Sequence, residues 1–384
     1  MVGLERSADV VVVGAGVVGA ACAYYAARTG LRVAVVDRGT VAGGTSSRGE
    51  GNLLVSDKSP GPELDLTLRS LQLWHELGAA LGDGFELEPK GGLVVATSAE
   101  GLATLTDLAA AQRDAGVDIV SDVDLHEHEP HLRDDLAGGA FYPQDLQVQP
   151  MLAAAHLLRA ARDCGTTVHT GTTVTAIDSD SSGALTVRTT AGVISTPAVV
   201  NAAGTWAGGV AALAGVAVPV RPRRGFILVT EPLPVLVRHK VYAAEYVANV
   251  ASSASDLQTS AVVEGTRGGT ILIGASRERV GFDTTFALPV LARLASQAVD
   301  LFPILSGVHA IRTYVGFRPY SPDHLPIIGR DPHVPGLLHA CGHEGAGVGL
   351  APATGELIAS LLTGSASTVD PTPFQPDRFG DPDE

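Results

Sequence analysis

The sequence predicts an α/β protein in which a parallel sheet, assembled from separated stretches of chain, carries an inserted antiparallel sheet. Three observations predict it. Four valines at 10–13 run into Gly14-Ala15-Gly16-Val17-Val18-Gly19, a helical segment and a second apolar stretch, the order of a nucleotide-binding strand–turn–helix–strand unit. Residues 220–317 change to alternating, turn-punctuated segments, the period-two pattern of antiparallel strands. After Pro326 the apolar runs return, with a second glycine-rich helix start at 342–350.

Taken in order, 10–13 read as a buried strand, 17–29 as a helix stopped by Gly30, and 32–36 as the next strand. Gly14 permits the tight turn, Gly16 leaves room for a pyrophosphate, and Gly19 lets helix and strand pack closely while the helix N-terminus faces the anion. Asp37 ends the second strand, at roughly the 20-residue spacing at which a carboxylate meets a ribose hydroxyl. The loop 38–52 is rich in glycine and hydroxyls, suited to phosphates or a flat ring. A packing helix is expected over 62–81, with Pro62 near its start, then a strand at 91–97 and a helix at 99–115 ended by Gly116.

Histidines and acids crowd at His126-Glu127-His128-Glu129-Pro130-His131. The segment reads as an exposed turn broken by proline, nothing else completes a ligand set, and no metal centre is expected. A helix at 150–164 leads to a strand pair at 168–170 and 173–177 and a strand at 185–189. The buried strand 198–202 ends in the tight turn Ala203-Gly204-Thr205-Trp206-Ala207. The antiparallel region offers strands at 225–230, 241–247, 259–264, 269–275 and 308–317, interrupted by a helix at 288–300. A turn at 326–329, a strand at 337–340 and a helix running to 362 complete the pattern.

Composition bounds the function. The 384 residues suit two domains. A formal net charge of −15 without any lysine or arginine run argues against nucleic acid or an anionic membrane as partner. Cys22, Cys164 and Cys341 stand far apart without metal-ligand spacing, which fits a reducing, cytoplasmic setting. The uncharged stretches 10–27 and 189–220 are broken by turn residues, so no membrane span is expected, and no secretory signal is evident.

Four separated segments together resemble the FAD-dependent D-amino acid oxidase superfamily, in its glycine oxidase, sarcosine oxidase and proline or hydroxyproline dehydrogenase branch. They are Gly14-x-Gly16-x-x-Gly19 with Asp37, Gly44-Thr45-Ser46-Ser47, Asn201-Ala202-Ala203-Gly204-Thr205-Trp206, and Gly316-Phe317-Arg318-Pro319 through Gly329 with Gly342-His343 to Pro352. The resemblance implies a Rossmann-type, glutathione-reductase-like FAD domain at 1–85, 145–220 and 320–384, and a substrate domain at 86–144 and 221–319. It places Asp37 on the adenosine ribose, Thr45 and Ser46 near the pyrophosphate, Val174 on the adenine, and Ala203 and Gly204 beside the dinucleotide. Val18, Arg38, Gly44, Gly51, Asn52, Trp206 and Gly342 are expected along the same cofactor. Gly345, Ala346, Gly347, Val348, Gly349 and Leu350 would lie beside the flavin ring, where a helix N-terminus favours the charge of reduced flavin.

By the same resemblance Arg318 holds a substrate carboxylate, a task its guanidinium fork suits. Tyr242 and Tyr246, four apart, would share one face of a strand roofing the flavin, and His343 follows the family's Gly-His pattern. Glu50 and Glu344 are open between receiving a substrate ammonium and being surface charges; Arg48 is open between a phosphate or acidic partner and a solvated loop. No cysteine stands near Gly316, so noncovalent FAD is expected. A second arginine, often found in the family's Gly-His loop, is Gly345 here. The three lysines, Lys58, Lys90 and Lys240, offer no clear match to the oxygen-activating lysine of sarcosine oxidase.

The expected activity is oxidation of the C–N bond of a small amino acid or secondary amine by hydride transfer to flavin N5, giving an imine that water hydrolyses. Electrons pass to oxygen, a quinone or an acceptor protein, and a homo- or hetero-oligomer is open. The competing readings are the flavin subunit of a multi-subunit dye-linked dehydrogenase and a non-catalytic flavin-binding protein.

Overall fold

A computed structural model describes residues 4–121, 123–180, 183–244, 246–247 and 252–380. One sheet has six strands in the order Ile327–Arg330, Leu337–Cys341, Val199–Asn201, Val10–Val13, Val33–Val36 and Thr167–His169. Neighbours run parallel except at the edge pair formed by 327–330. Val10 to Val13 are all buried, as a central parallel strand covered on both faces must be. Helix Val17–Arg28 packs on this sheet between Pro150–Asp163 and Gly347–Thr363. At the last crossing a side chain on Gly355 would meet the Ala21 backbone at 2.7 Å, so the two helices touch almost backbone to backbone.

The second sheet has eight strands in the order Ala310–Tyr320, Arg221–Thr230, Ile271–Arg277, Gln258–Gly265, Lys240–Ala243, Gly92–Ala96, Gly138–Tyr142 and Val120–Ser121. It is antiparallel except where Lys240–Ala243 runs beside Gly92–Ala96. Its two faces carry separate cores: Val263 and Ile273 pack under helix Leu288–Leu301, while Val262 and Ala275 join the core shared with the parallel sheet. The face turned toward the parallel sheet therefore roofs whatever lies between the two.

Several expectations are corrected. Strands 167–169 and 174–179 do not pair: the first extends the parallel sheet beside Val33–Val36, and the second enters a separate three-stranded sheet with Leu185–Thr189 and Gly192–Thr196. The strand at 192–196 is absent from the sequence reading because only Ile194 and Thr196 of its five residues are buried, too short a pattern to stand out. The turn expected at 326–329 is an edge strand, held by the burial of Ile327 and Ile328. The strand expected over 241–247 ends at Ala243, and residue 245 lies outside the described residues. The histidine-rich stretch holds a short helix, Leu125–His128, capped by the Asp124 carboxylate. It is not wholly exposed: Glu129 is buried and accepts from the Arg238 amide at 2.8 Å and the His239 amide at 2.5 Å. No group of three or more His, Cys, Asp or Glu residues among the described residues is arranged to hold a metal.

Candidate active site

Between the two sheets lies a cavity of about 900 Å³, near the upper end of the ~300–1,000 Å³ typical of ligand sites. Its floor comes from the turns that follow strands Val10–Val13, Val33–Val36 and Val199–Asn201, the carboxyl ends at which open parallel sheets bind ligands.

The floor is built by hydrogen bonds among these turns. Gly14 has φ +116°, and a side chain there would strike the Ala202 carbonyl. Asp37 Oδ2 accepts from the Ala15 amide and Oδ1 from the Gly39 amide, both at 2.7 Å. Its carboxylate thus ties the glycine turn to the end of the second strand. Ser46 Oγ accepts from the Val17 amide at 3.0 Å, drawing the hydroxyl-rich loop over the first helix. Asn201 donates to the Ala207 carbonyl at 2.9 Å and shapes the turn at Ala203. The Thr45 and Thr205 hydroxyls both donate to the Phe317 carbonyl, at 2.7 and 2.8 Å, clasping floor to roof. At one rim the Trp206 ring stacks on Phe282 at 5.5 Å, with the Arg38 guanidinium 4.3 Å from the Trp206 ring centre.

Of the cofactor candidates, Gly14, Gly16, Val18, Asp37, Arg38, Gly44, Thr45, Ser46, Asn52, Val174, Ala203, Gly204, Trp206, Gly345, Gly347 and Val348 line this cavity. Gly19, Gly51 and Gly342 do not. A side chain on Gly19 would strike the Gly14 carbonyl and one on Gly51 the Val148 carbonyl, while Gly342 turns the chain at φ +72°. These three serve close packing and turning. Ala346, Gly349 and Leu350 face a small neighbouring void with Lys58 and Tyr246.

Arg318, Tyr246 and His343 line the cavity, and Tyr242 does not. The expected sharing of one strand face by the two tyrosines fails because the strand ends at Ala243. Tyr242 is fully buried instead, donating to Ser56 Oγ at 2.5 Å, next to Asp145. Its ring meets that of Tyr246 edge-on at 5.0 Å. Arg318 projects from strand Ala310–Tyr320 and donates from Nη1 to the Ser276 carbonyl at 2.8 Å. It forms no ion pair among the described residues, and burial and the neighbouring Arg277 guanidinium lower its pKa. Gly225 makes room for it, since a side chain there would collide with Arg318 Nη1. The His343 ring bonds Thr354 Oγ1 at 2.9 Å, and burial pushes its pKa down to about 3, so the imidazole is neutral.

The carboxylates left open by the sequence separate here. Glu344 is paired on both oxygens, with Arg223 and with His324 at 2.8 Å. Glu50 lines the cavity and is buried, and its Oε1 has no hydrogen-bond partner. Arg48, exposed at the rim, donates to the Val315 carbonyl at 3.2 Å. The sequence reading missed Arg277, whose guanidinium lies 5.0 Å from the Tyr246 ring centre, and Phe282. Both sit in an antiparallel region where no motif marks the inward residues.

The family described as DAO, FAD dependent oxidoreductase, matches residues 9–361. Among curated relatives, the chain is 33% identical to a glycine oxidase of Geobacillus kaustophilus, over 95% of this chain and 96% of that one. It is 32% identical to the hydrogen cyanide synthase subunit HcnC of Pseudomonas aeruginosa, over 98% and 97%. The solved glycine oxidase of Geobacillus kaustophilus superposes with a TM-score of 0.89, covering 97% of this chain and 99% of that one at 30% identity.

Proposed function

This chain belongs to the DAO family of FAD-dependent oxidoreductases, and from that premise we propose that its substrate is a small carboxylated amine held by Arg318. The family's chemistry is oxidation of amines and amino acids with FAD.

The cavity suits FAD on its own terms. A side chain on Gly16 would meet only Ser46 Oγ at 3.2 Å, so the backbone there is open to a close-lying diphosphate. Asp37 would hold the ribose, Ala203 and Gly204 the dinucleotide backbone, and Val174 the adenine. The start of helix Gly347–Thr363 carries no side-chain cap, so its first amides and the positive end of its dipole are free to face the ring. When bound, FAD accepts the hydride from the carbon bearing the amine. Absence of any cysteine from the cavity wall supports noncovalent binding.

The protein's own work is orientation and electrostatics. Arg318 captures the carboxylate from the roof and fixes which C–H bond points to the floor. Tyr246 closes the side of the site, and neutral His343 braces the helix start through Thr354. Water then hydrolyses the imine released. Membership of 92–96, 120–121 and 138–142 in the roof sheet supports assigning 86–144 and 221–319 to a substrate domain and 1–85, 145–220 and 320–384 to the FAD domain.

The observation that carries this reading is the half-buried Arg318 guanidinium, bonded only to a carbonyl among the described residues, at the wall of the cavity. Removing one partner of such a buried charge pair costs about 3–5 kcal/mol. Arg318→Ala is therefore expected to raise KM for a carboxylated amine at least about a hundredfold while FAD stays bound. Unchanged steady-state kinetics would remove Arg318 from the site. A second reading, delivery of electrons to a partner chain, is favoured by the relative whose name marks it as a subunit.

A further inference from the structure

We propose that Glu50 is the amine-side residue of the substrate site, receiving the substrate's ammonium and taking its proton before oxidation. The inference rests on the reading of the substrate as a carboxylated amine.

The first observation is a buried carboxylate oxygen without a partner. Glu50 is 8% exposed, lines the cavity, and its Oε1 has no partner. Its Oε2 accepts from Asn52 Nδ2 at 3.2 Å and stands 3.8 Å from Lys240 Nζ. Lys240 in turn pairs with Glu264 at 3.0 Å and donates to Asn52 Oδ1. Two carboxylates thus share one ammonium inside the protein, and the cluster lacks one positive charge or one proton. A buried carboxylate oxygen left bare is costly.

The second observation is position. Glu50 Oε1 occupies a recess that exists because residue 274 is glycine; a side chain there would approach it to 2.5 Å. Arg318 occupies a matching recess over Gly225, bonded to the carbonyl of Ser276. Gly274 and Ser276 lie on one strand, two residues apart. The roof therefore presents a cation and an anion in neighbouring recesses of one cavity wall. Glu344, the other acid on the wall, is already paired on both oxygens.

The groups acting on Glu50 include Lys240, Glu264, Arg318 and Asn52, and the Tyr314 phenol also feels its charge. Burial, the largest effect, raises its pKa, and the Lys240 charge opposes this. Such a group is matched to removing a proton from a bound ammonium. In that step an N–H bond of the ammonium breaks and an O–H bond forms on the Glu50 carboxylate, with no change in oxidation state. The cluster becomes neutral, and the amine gains the lone pair that stabilises the carbon as its hydride leaves for the flavin.

The test uses full-length, FAD-loaded wild type, Glu50→Gln and Glu50→Asp, with anaerobic flavin reduction by the best amine of a panel and acetate as a carboxylate lacking the amine. Glu50→Gln should lower the reduction rate constant over Kd for the amine at least a hundredfold. Its acetate Kd, read from the flavin spectrum, should stay within threefold, and Glu50→Asp should recover part of the loss. In wild type alone, the amine should bind at least tenfold more tightly than acetate. Equal binding of the two in wild type, equal reduction by wild type and Glu50→Gln, or a parallel loss of acetate binding would each overturn the role of Glu50. If no carboxylated amine reduces the wild-type flavin, the substrate reading itself fails and this inference falls with it.

Discussion

Gly14 shows how far a single residue is determined by its neighbours. Its φ of +116° and the Ala202 carbonyl beside it leave no room for a side chain. Gly14→Ala is expected to cost at least about 2 kcal/mol in backbone strain and to lower both the melting temperature and the FAD content of purified protein; wild-type values for both would refute the argument. This residue was legible in the sequence, because its role follows from a local turn. Glu50 was not: whether it is a surface charge or a buried one depends on Gly274, more than two hundred positions away. Tyr242 and Tyr246 were misplaced for the same reason, since one strand end at Ala243 decides which of them reaches the cavity.

At the scale of elements, helices were read closely because each carries its own signals. Helix Pro62–Leu81 has Pro at its first turn, Glu63 and Asp65 at its positive end and Gly82 at its stop. Helix Gly347–Thr363 contains Pro352, which interrupts its hydrogen-bond ladder. Helix 62–81 repairs the break: Ser70 and Trp74 donate to the Gly349 carbonyl at 2.6 and 3.1 Å, and Ser70 accepts from the Ala353 amide at 3.2 Å.

Another tie between elements is titratable. Asp145 is buried against Ser56 and the Val55 amide, and burial raises its pKa to about 7. Between about pH 4 and 7 the unfolded chain loses this proton while the folded protein keeps it, so stability falls as pH rises through that window. Asp145→Asn should flatten the decline, seen as a smaller drop in denaturation midpoint from pH 5 to 7.5. A slope equal to that of wild type would remove Asp145 as its source.

At the scale of the whole molecule, the site exists only where two sheets face each other. The parallel sheet supplies turns and a helix start; the roof supplies Arg318, Glu50's recess and Phe282. On the function proposed above, their hold on FAD would be noncovalent, and Cys22, Cys164 and Cys341 all stand off the cavity wall. Acid precipitation should accordingly leave the yellow colour in the supernatant, and colour retained in the pellet would show a covalent link. No helix among the described residues is long and apolar enough to cross a membrane.

The sequence by itself determined the nucleotide-binding turn, the separated family motifs, most helices and Arg318 as a candidate, because local spacing and turn chemistry carry that information. Only the tertiary structure decided which strands share a sheet, which tyrosine reaches the site, and which of two glutamates keeps one oxygen without a partner. Those outcomes depend on contacts between residues far apart in the chain, where neither periodicity nor motif spacing reports who meets whom.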